Sequence, residues 1–302
     1  MSATITIVRA GPLTTIQDNG RHGLLASGIS ASGPMDAAGF AHAAELVGVD
    51  AKGGVEFTTA GLELTVTGGA CRIGWAGGAF TARHNGEPVN WPGAAQLETG
   101  DRLAITPGPA GNYGYLRFDR DLEVPAVLGS LATSSRAKLG GLAGRALQAG
   151  DRLVLGNSAK GQPRRHALAP VPADNSFRVI WGIHADLFSP QARQAFVAGR
   201  FHVTAQMDRM GVRLRDTAGA FAGAGALSLV SDAIVLGDIQ ILGDGTPIVL
   251  MRDHQPTGGY PRIATIISAD LDRFAQQRPG TAIAFQPVSV EHAHRLLRGE
   301  TL

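Results

Sequence analysis

One cysteine, Cys71, stands in 302 residues. A lone thiol excludes an internal disulfide framework and any cysteine-based zinc site. Lysine is almost as scarce. Lys52, Lys138 and Lys160 are the whole set, so the pI near 9.0 rests on arginine. None of the three has the Met-Lys-Met setting of a biotin carrier, so any biotin would have to sit on another chain. Aromatic residues are only 6%, and the arginines are scattered, with Arg164-Arg165 the longest basic run. A nucleic-acid binder concentrates base on one face and interleaves aromatics, so that class is set aside. No apolar run approaches the roughly 18 residues of a membrane span. The start, Met1-Ser2-Ala3-Thr4-Ile5-Thr6-Ile7, has no basic stretch leading into an apolar one, so no signal peptide is read and a cytoplasmic protein is expected. There is no Walker A loop and no Gly-x-Ser-x-Gly elbow. His292 and His294 are two apart, which turns them to different sides of a helix, so no metal site is expected.

Glycine is abundant instead, at 41 residues. With 16 prolines and no collagen period, this points to many turns between short strands. Thr4–Val8, Leu62–Thr67, Cys71–Trp75, Arg102–Ile105 and Tyr113–Phe118 largely alternate apolar with polar or small residues, as half-buried strands do. Helices are few. Phe40, Ala43, Ala44 and Val47 form an apolar stripe stopped at Gly48. Ser189-Pro190 reads as a cap and first helical residue, with Gly199 as the end. Asp270–Gln276 and Val290–Arg298 are two more. The pattern predicts a mainly β protein, of barrels or sandwiches, with a few helices.

The length suits one large or two modest domains. Gly100-Asp101-Arg102-Leu103 recurs as Gly150-Asp151-Arg152-Leu153, and the plain reading of this echo is two similar turn-to-strand entries. The polar, proline-bearing stretch Gly156–Asn175 then separates a first domain, 1–160, from a second, 177–302, with residues 161–176 as linker.

Three polar clusters lie in turn-like sequence. The first is Gln17-Asp18-Asn19-Gly20-Arg21-His22-Gly23, followed by Gly33-Pro34-Met35-Asp36. Its plain reading is a hairpin in which Asp18 and Arg21 pair locally. The second, Asp208-Arg209-Met210-Gly211-Val212-Arg213, could equally be a strand with one solvated face. The third, Met251-Arg252-Asp253-His254-Gln255-Pro256-Thr257-Gly258-Gly259-Tyr260-Pro261-Arg262, connects two apolar strands, Pro247–Met251 and Ile263–Ile267. It is denser in functional groups than solubility requires, and such loops on rigid scaffolds commonly carry function.

Those clusters resemble a known family. Gly11-Pro12-Leu13-Thr14-Thr15-Ile16-Gln17-Asp18-Asn19-Gly20-Arg21, Gly33-Pro34-Met35-Asp36 and Gly140-Gly141-Leu142-Ala143-Gly144-Arg145-Ala146-Leu147 are similar to the first half of its pattern. Asp208-Arg209-Met210-Gly211 and Gln255-Pro256-Thr257-Gly258-Gly259-Tyr260-Pro261-Arg262 are similar to the second. The family is the biotin-dependent carboxyltransferase-like group, also called allophanate hydrolase subunit 2 or KipA-like. Met207 departs from its usual Ser, and His254 and Pro256 stand where Arg and Thr are common.

The resemblance implies two cyclophilin-like β-barrel domains facing a cleft. It also implies one of three activities. The first is the C subunit of a 5-oxoprolinase, inactive alone, that joins a KipI-like B subunit and an A subunit to convert 5-oxoproline to glutamate with ATP. The second is carboxyl transfer from biotin on another chain to urea or a similar nitrogen compound. The third is a non-catalytic KipA-like regulator that binds a KipI-like histidine kinase inhibitor.

The expected cleft is lined by Asp253–Arg262 together with Asp208–Arg213. In it Asp253 acts as general base or orients a donor, and His254 shares that role. Tyr260 and Gln255 hydrogen-bond a carbonyl or ureido group, beside the Gly258 and Gly259 amides as oxyanion donors. Arg21, Arg209 and Arg262 are the anion-binding candidates, because guanidinium binds carboxylate and phosphate bidentately. Asp18, Asp36, Asp208, Arg213 and Thr257 complete the substrate- or anion-binding set. The competing expectation is an Asp253–Arg262 ion pair that only holds the loop. On either view Asp253 is taken as a solvated charge, contributing about 1 kcal/mol or less to stability.

Overall fold

The computed structural model describes residues 2–163, 174–222 and 229–299. The chain divides into two compact units, Met1–Gly23 with Ala31–His166 and Leu24–Ser30 with Ala167–Leu302. Most of the linker expected at 161–176 lies outside the described residues.

The first unit contains β1 (Ala3–Ala10), β2 (Thr15–Gln17), α1 (Ala37–Val47), β3 (Gly54–Thr58), β4 (Leu62–Gly68), β5 (Cys71–His84), β6 (Glu87–Val89), β7 (Gly93–Leu97), β8 (Arg102–Phe118), β9 (Arg120–Leu122) and β10 (Arg152–Ser158). Its ten strands form one half-barrel sheet in the order β2-β3-β8-β4-β1-β10-β9, with β5 also on β8, and β6 and β7 on β5. In β1 the residues Ala3, Ile5 and Ile7 face inward at period two and join Val55, Phe57, Leu64, Val66, Ile73 and Trp75 in the core. Helix α1 begins where Asp36 accepts from the Gly39 N–H at 2.8 Å and stops at Gly48, whose φ is 90°. Its apolar stripe is buried as predicted.

One strand is longer than the sequence suggested. The pattern marks Arg102–Ile105 and Tyr113–Phe118 as two strands, with Thr106-Pro107-Gly108-Pro109 in the gap between them. The structure joins them as β8, which pairs with β5 from Ile73↔Phe118 to His84↔Leu103. Register shifts between Gly77 and Ala79 and between Ala79 and Phe80 absorb the irregular segment. Bulges are where a sheet tolerates proline, which has no N–H to donate.

The tetrapeptide echo encodes one turn used twice, both times in this unit. Asp101 N–H bonds Glu98 O, and the Glu98 N–H returns to Asp101 Oδ2 at 2.8 Å. Asp151 N–H bonds Gln148 O, and the Gln148 N–H returns to Asp151 Oδ2 at 2.9 Å. Gly100 and Asp101 then bracket Val66 by backbone bonds, as Gly150 and Asp151 bracket Ile7. Each copy thus starts a strand antiparallel to a core strand.

The second unit contains β11 (Ser176–Trp181), α2 (Pro190–Ala198), β12 (Phe201–Met207), β13 (Gly211–Asp216), β14 (Asp232–Ala233), β15 (Asp238–Ile241), β16 (Pro247–Leu250), β17 (Thr257–Gly258), β18 (Arg262–Ile266), α3 (Ser268–Ala275), β19 (Ala282–Pro287) and α4 (Val290–Leu297). Seven strands close a barrel in the order β11-β18-β15-β16-β13-β12-β19, sealed by the parallel pairing of β19 with β11. Phe177, Phe196, Phe201, Phe221, Phe274 and Phe285 fill its core, with Phe196 and Phe285 stacked at 4.9 Å. Ser189 caps α2 by accepting from Ala192 N–H. Helix α3 starts two residues before the pattern did. Its Asp270 is buried, accepting from Arg178 N–H at 2.8 Å and Nε at 3.0 Å, which ties the helix to β11.

Asp101 yields a pH prediction. The Asn85 side-chain amide, then the Glu98 N–H, hold its pKa down at about 2 against an ordinary 3.8. Its stabilisation of the turn is therefore complete above pH 3.8 and lost as pH falls toward 2. Carbon-13 NMR titration of the carboxyl should find the low midpoint in the wild type, and Asn85→Ala should move it upward.

Candidate functional site

The first-unit cluster is a clamped loop. Gly33 N–H donates to Gln17 Oε1 at 3.1 Å, Met35 N–H to Glu56 Oε2 at 2.7 Å and Asp36 N–H to the Tyr115 hydroxyl at 2.7 Å. All three acceptors are fully buried, on β2, β3 and β8. Burial, then the negative charges of Glu56 and Asp36, hold the Tyr115 phenol well above its ordinary pKa, so it stays protonated. Asp18 and Arg21 reach one distant segment. The Asp18 carboxylate accepts from Gly20 N–H, Ser130 Oγ and Leu131 N–H at 2.9, 2.5 and 2.6 Å. Arg21 donates to the carbonyls of Ala132 and Val127. Gly140 is required beside them: its φ is +65°, and a Cβ there would lie 2.1 Å from Ala132 O. Asp18, Arg21 and Asp36 are thus engaged by backbone groups that shape this loop.

In the second unit the structure brings two of the sequence clusters together. Asp208 Oδ1 accepts from Met210 and Gly211 N–H groups, closing the turn between β12 and β13. The loop after β16 docks on that turn through Met251 N–H to Met210 O at 2.9 Å and Asp253 N–H to Arg209 O at 2.7 Å. Arg209 then grips the Asp253 carboxylate with Nε at 2.9 Å and a terminal nitrogen at 3.2 Å. Both side chains are buried. Arg213 points to solvent on β13.

Two sequence expectations are corrected here. Asp253 is not a solvated charge, and its ion-pair partner is Arg209, not Arg262. Arg262 pairs instead with Asp232 and Asp238, at 2.5 and 3.5 Å, and donates to Ala233 O at 2.6 Å. The loop curls back onto the β12–β13 turn, a tertiary contact that residue spacing does not disclose.

His254 is buried beside this pair, its Nδ1 2.7 Å from Gln255 O. A carbonyl oxygen only accepts, so Nδ1 is the donor in this contact. Gln255 is half-buried, Thr257 exposed, and Tyr260 exposed by 41%. Gly258 and Gly259 are small for packing reasons. A Cβ on Gly258 would lie 2.6 Å from Gln240 Nε2, and one on Gly259 2.9 Å from Leu229 O. Gly258 pairs with Asp232 and Thr257 with Ala233, which sets β14 against the loop.

Sequence reasoning missed three residues around Arg262: Asp232, Asp238 and His184. Asp238 is buried and held by Val235 N–H at 2.9 Å and Thr265 Oγ1 at 2.6 Å. His184 Nδ1 accepts the Arg262 backbone N–H at 3.4 Å. Burial, and then the Arg262 charge, hold its pKa below the ordinary imidazole value, so the ring is neutral near pH 7. None of the three belongs to a motif; they lie 24 to 78 residues from Arg262 along the chain. Among the described residues no three His, Cys, Asp or Glu side chains are grouped to hold a metal ion.

This chain is similar to 5-oxoprolinase C subunits and to part of urea amidolyase. It is 35% identical over 292 residues to the C subunit of 5-oxoprolinase from Escherichia coli (strain K12), covering 96% of this chain and 93% of that one. It is 32% identical to the C subunit of 5-oxoprolinase from Haemophilus influenzae, over 97% and 94% of the two chains. Among solved structures, the urea amidolyase of K. lactis superposes with a TM-score of 0.86 at 26% identity over 97% of this chain. The match spans only 19% of that larger chain. The family described as carboxyltransferase domain, subdomain A and B, matches residues 27–287. With that match over most of its length, the chain belongs to the carboxyltransferase domain family.

Proposed function

We propose that this chain is the C subunit of an ATP-dependent 5-oxoprolinase, acting in the cytoplasm with a KipI-like B subunit and an A subunit to open 5-oxoproline to glutamate. The observation that supports this is coverage. Its likeness to proteins named as the C subunit of 5-oxoprolinase extends over 93 and 94% of their length, against 19% for the urea amidolyase. The lactam is a resonance-stabilised amide and a poor electrophile, and ATP supplies the activation when bound to the assembly. Arg21 and Arg209 already hold backbone carbonyls and Asp253, so neither is assigned a triphosphate here.

In this reading the chain's own residues divide as follows. Arg262 meets the substrate carboxylate, since one of its partners, Asp232, is half exposed. His254 Nε2 is the base, and the Tyr260 hydroxyl and the Gln255 amide hydrogen-bond the substrate carbonyl. The Gly258 and Gly259 amides add donors for developing oxyanion charge. Asp253 positions the loop through Arg209. A second reading, carboxyl transfer from biotin on another chain to urea or a similar nitrogen, draws support from the family and from the likeness to urea amidolyase.

Reconstitution tests the assignment. Purified with its two companion subunits, through an interface of roughly 2,000 Å² or more, the chain should be required for ATP- and 5-oxoproline-dependent glutamate release. Full release from the two companions alone overturns the proposal. Urea-dependent ATP turnover with a biotinylated partner would establish the second reading instead.

Substitutions test the roles. His254→Gln and Tyr260→Phe should each lower turnover by about 10² or more, with melting temperature moved only slightly. Asp253→Asn should instead unfold the protein more readily, because it takes a buried, bidentate carboxylate away from the Arg209 guanidinium. The double variant Arg209→Met/Asp253→Leu should recover most of that stability, as matched apolar pairs do. Denaturant titrations with parallel turnover measurements separate these outcomes. A stable Asp253→Asn variant with lost turnover would make Asp253 the base.

A further inference from the structure

Arg262 is a buried cation with two carboxylates, and one would neutralise it. Asp238 is the fixed partner, being 3% exposed and held by Val235 N–H and Thr265 Oγ1 as well as by Arg262. Asp232 differs in each respect. Its side chain is 52% exposed, and besides Arg262 its carboxylate takes the adjoining Ala233 N–H, at 2.7 Å. With His184 neutral, the group of Arg262, Asp238 and Asp232 carries one surplus negative charge, on the carboxylate nearest solvent.

Exposed apolar residues lie close to this group along the chain. Ile183 adjoins His184, Tyr260 precedes Arg262 by two residues, and Val230 and Val235 flank Asp232. These four are exposed by 74, 41, 92 and 49%. An Arg-bound carboxylate with apolar side chains close by in the chain suits a small organic acid better than an inorganic ion.

We infer that Asp232 is an internal stand-in for a ligand carboxylate, which displaces it from Arg262 when a small organic acid binds. The exchange keeps charge constant at Arg262, so it costs no uncompensated burial. His184 accepts from the strand backbone through Nδ1, so its proton is on Nε2, and it adds a neutral donor rather than a competing charge. This rests on the 5-oxoprolinase reading for the identity of the acid.

The test is calorimetric titration of the full chain with 5-oxoproline and with pyrrolidin-2-one, the same ring without a carboxylate. Asp232→Asn keeps an acceptor for the Ala233 N–H and should tighten 5-oxoproline binding by roughly two- to fivefold, the scale of one exposed ion pair. Asp232→Ser should do the same if the Asn variant folds poorly. Asp244→Asn, which removes an exposed charge elsewhere in the unit, should leave the affinity unchanged, and Arg262→Met should abolish it. Binding of pyrrolidin-2-one should not respond to Asp232→Asn. Unchanged or weaker binding in Asp232→Asn, equal tightening in Asp244→Asn, or no carboxylate binding by any variant overturns the inference. Glutamate release by the reconstituted complex, measured in parallel, keeps the two proposals apart. Release without the Asp232 effect removes only the stand-in, and the Asp232 effect without release removes only the 5-oxoprolinase assignment.

Discussion

The buried grip of Arg209 on Asp253 joins two segments 44 residues apart, and the geometry of the candidate site follows from it. Two backbone bonds run alongside, from Met251 to Met210 and from Asp253 to Arg209, so the loop is fixed in main chain and side chain together. Taking both charges out of water is costly, and bidentate geometry with these added bonds is what offsets the cost. His254 follows Asp253 directly, and its ring orientation, with Nδ1 on Gln255 O, depends on the loop holding this course. Asp253, a candidate base by composition, is thus a buried partner of Arg209.

The first unit solves a similar problem with neutral and charged acceptors at once. Gln17, Glu56 and Tyr115 come from three strands, and each takes one N–H of the loop from Gly33 to Asp36. Buried donors without partners would cost about 1–3 kcal/mol each, so this set specifies a single course for the loop. The Asp36 carboxylate then caps the start of α1 by accepting from the Gly39 N–H. Of these three acceptors Gln17 belongs to the sequence motif, and Glu56 and Tyr115 come from strands outside it.

Around Arg262 the balance is different. Its environment mixes a buried, multiply held carboxylate with a half-exposed one and a neutral imidazole. A site built only for stability would have little use for the second acid, since like charges on one guanidinium repel. Arg262 opens β18, where the barrel wall meets the loop that carries Tyr260.

The sequence by itself determined what depends on neighbours along the chain. Period-two alternation marked β1 and β4, the apolar stripe ending in Gly48 marked α1, Ser189-Pro190 marked α2, and the Gly-Asp-Arg-Leu echo marked one turn used twice. In each case the bonding partners lie within a few residues, or the pattern is set by burial on one face. Motif resemblance also placed the chain in its family. The tertiary structure alone decided the rest. It merged two expected strands into β8 because β5 offered a bulged partner along the whole length. It gave Asp253 to Arg209 and Arg262 to Asp232 and Asp238, and it recruited His184 from 78 residues away. Charges choose partners by distance and burial in the closed barrel, and neither quantity is written in residue order.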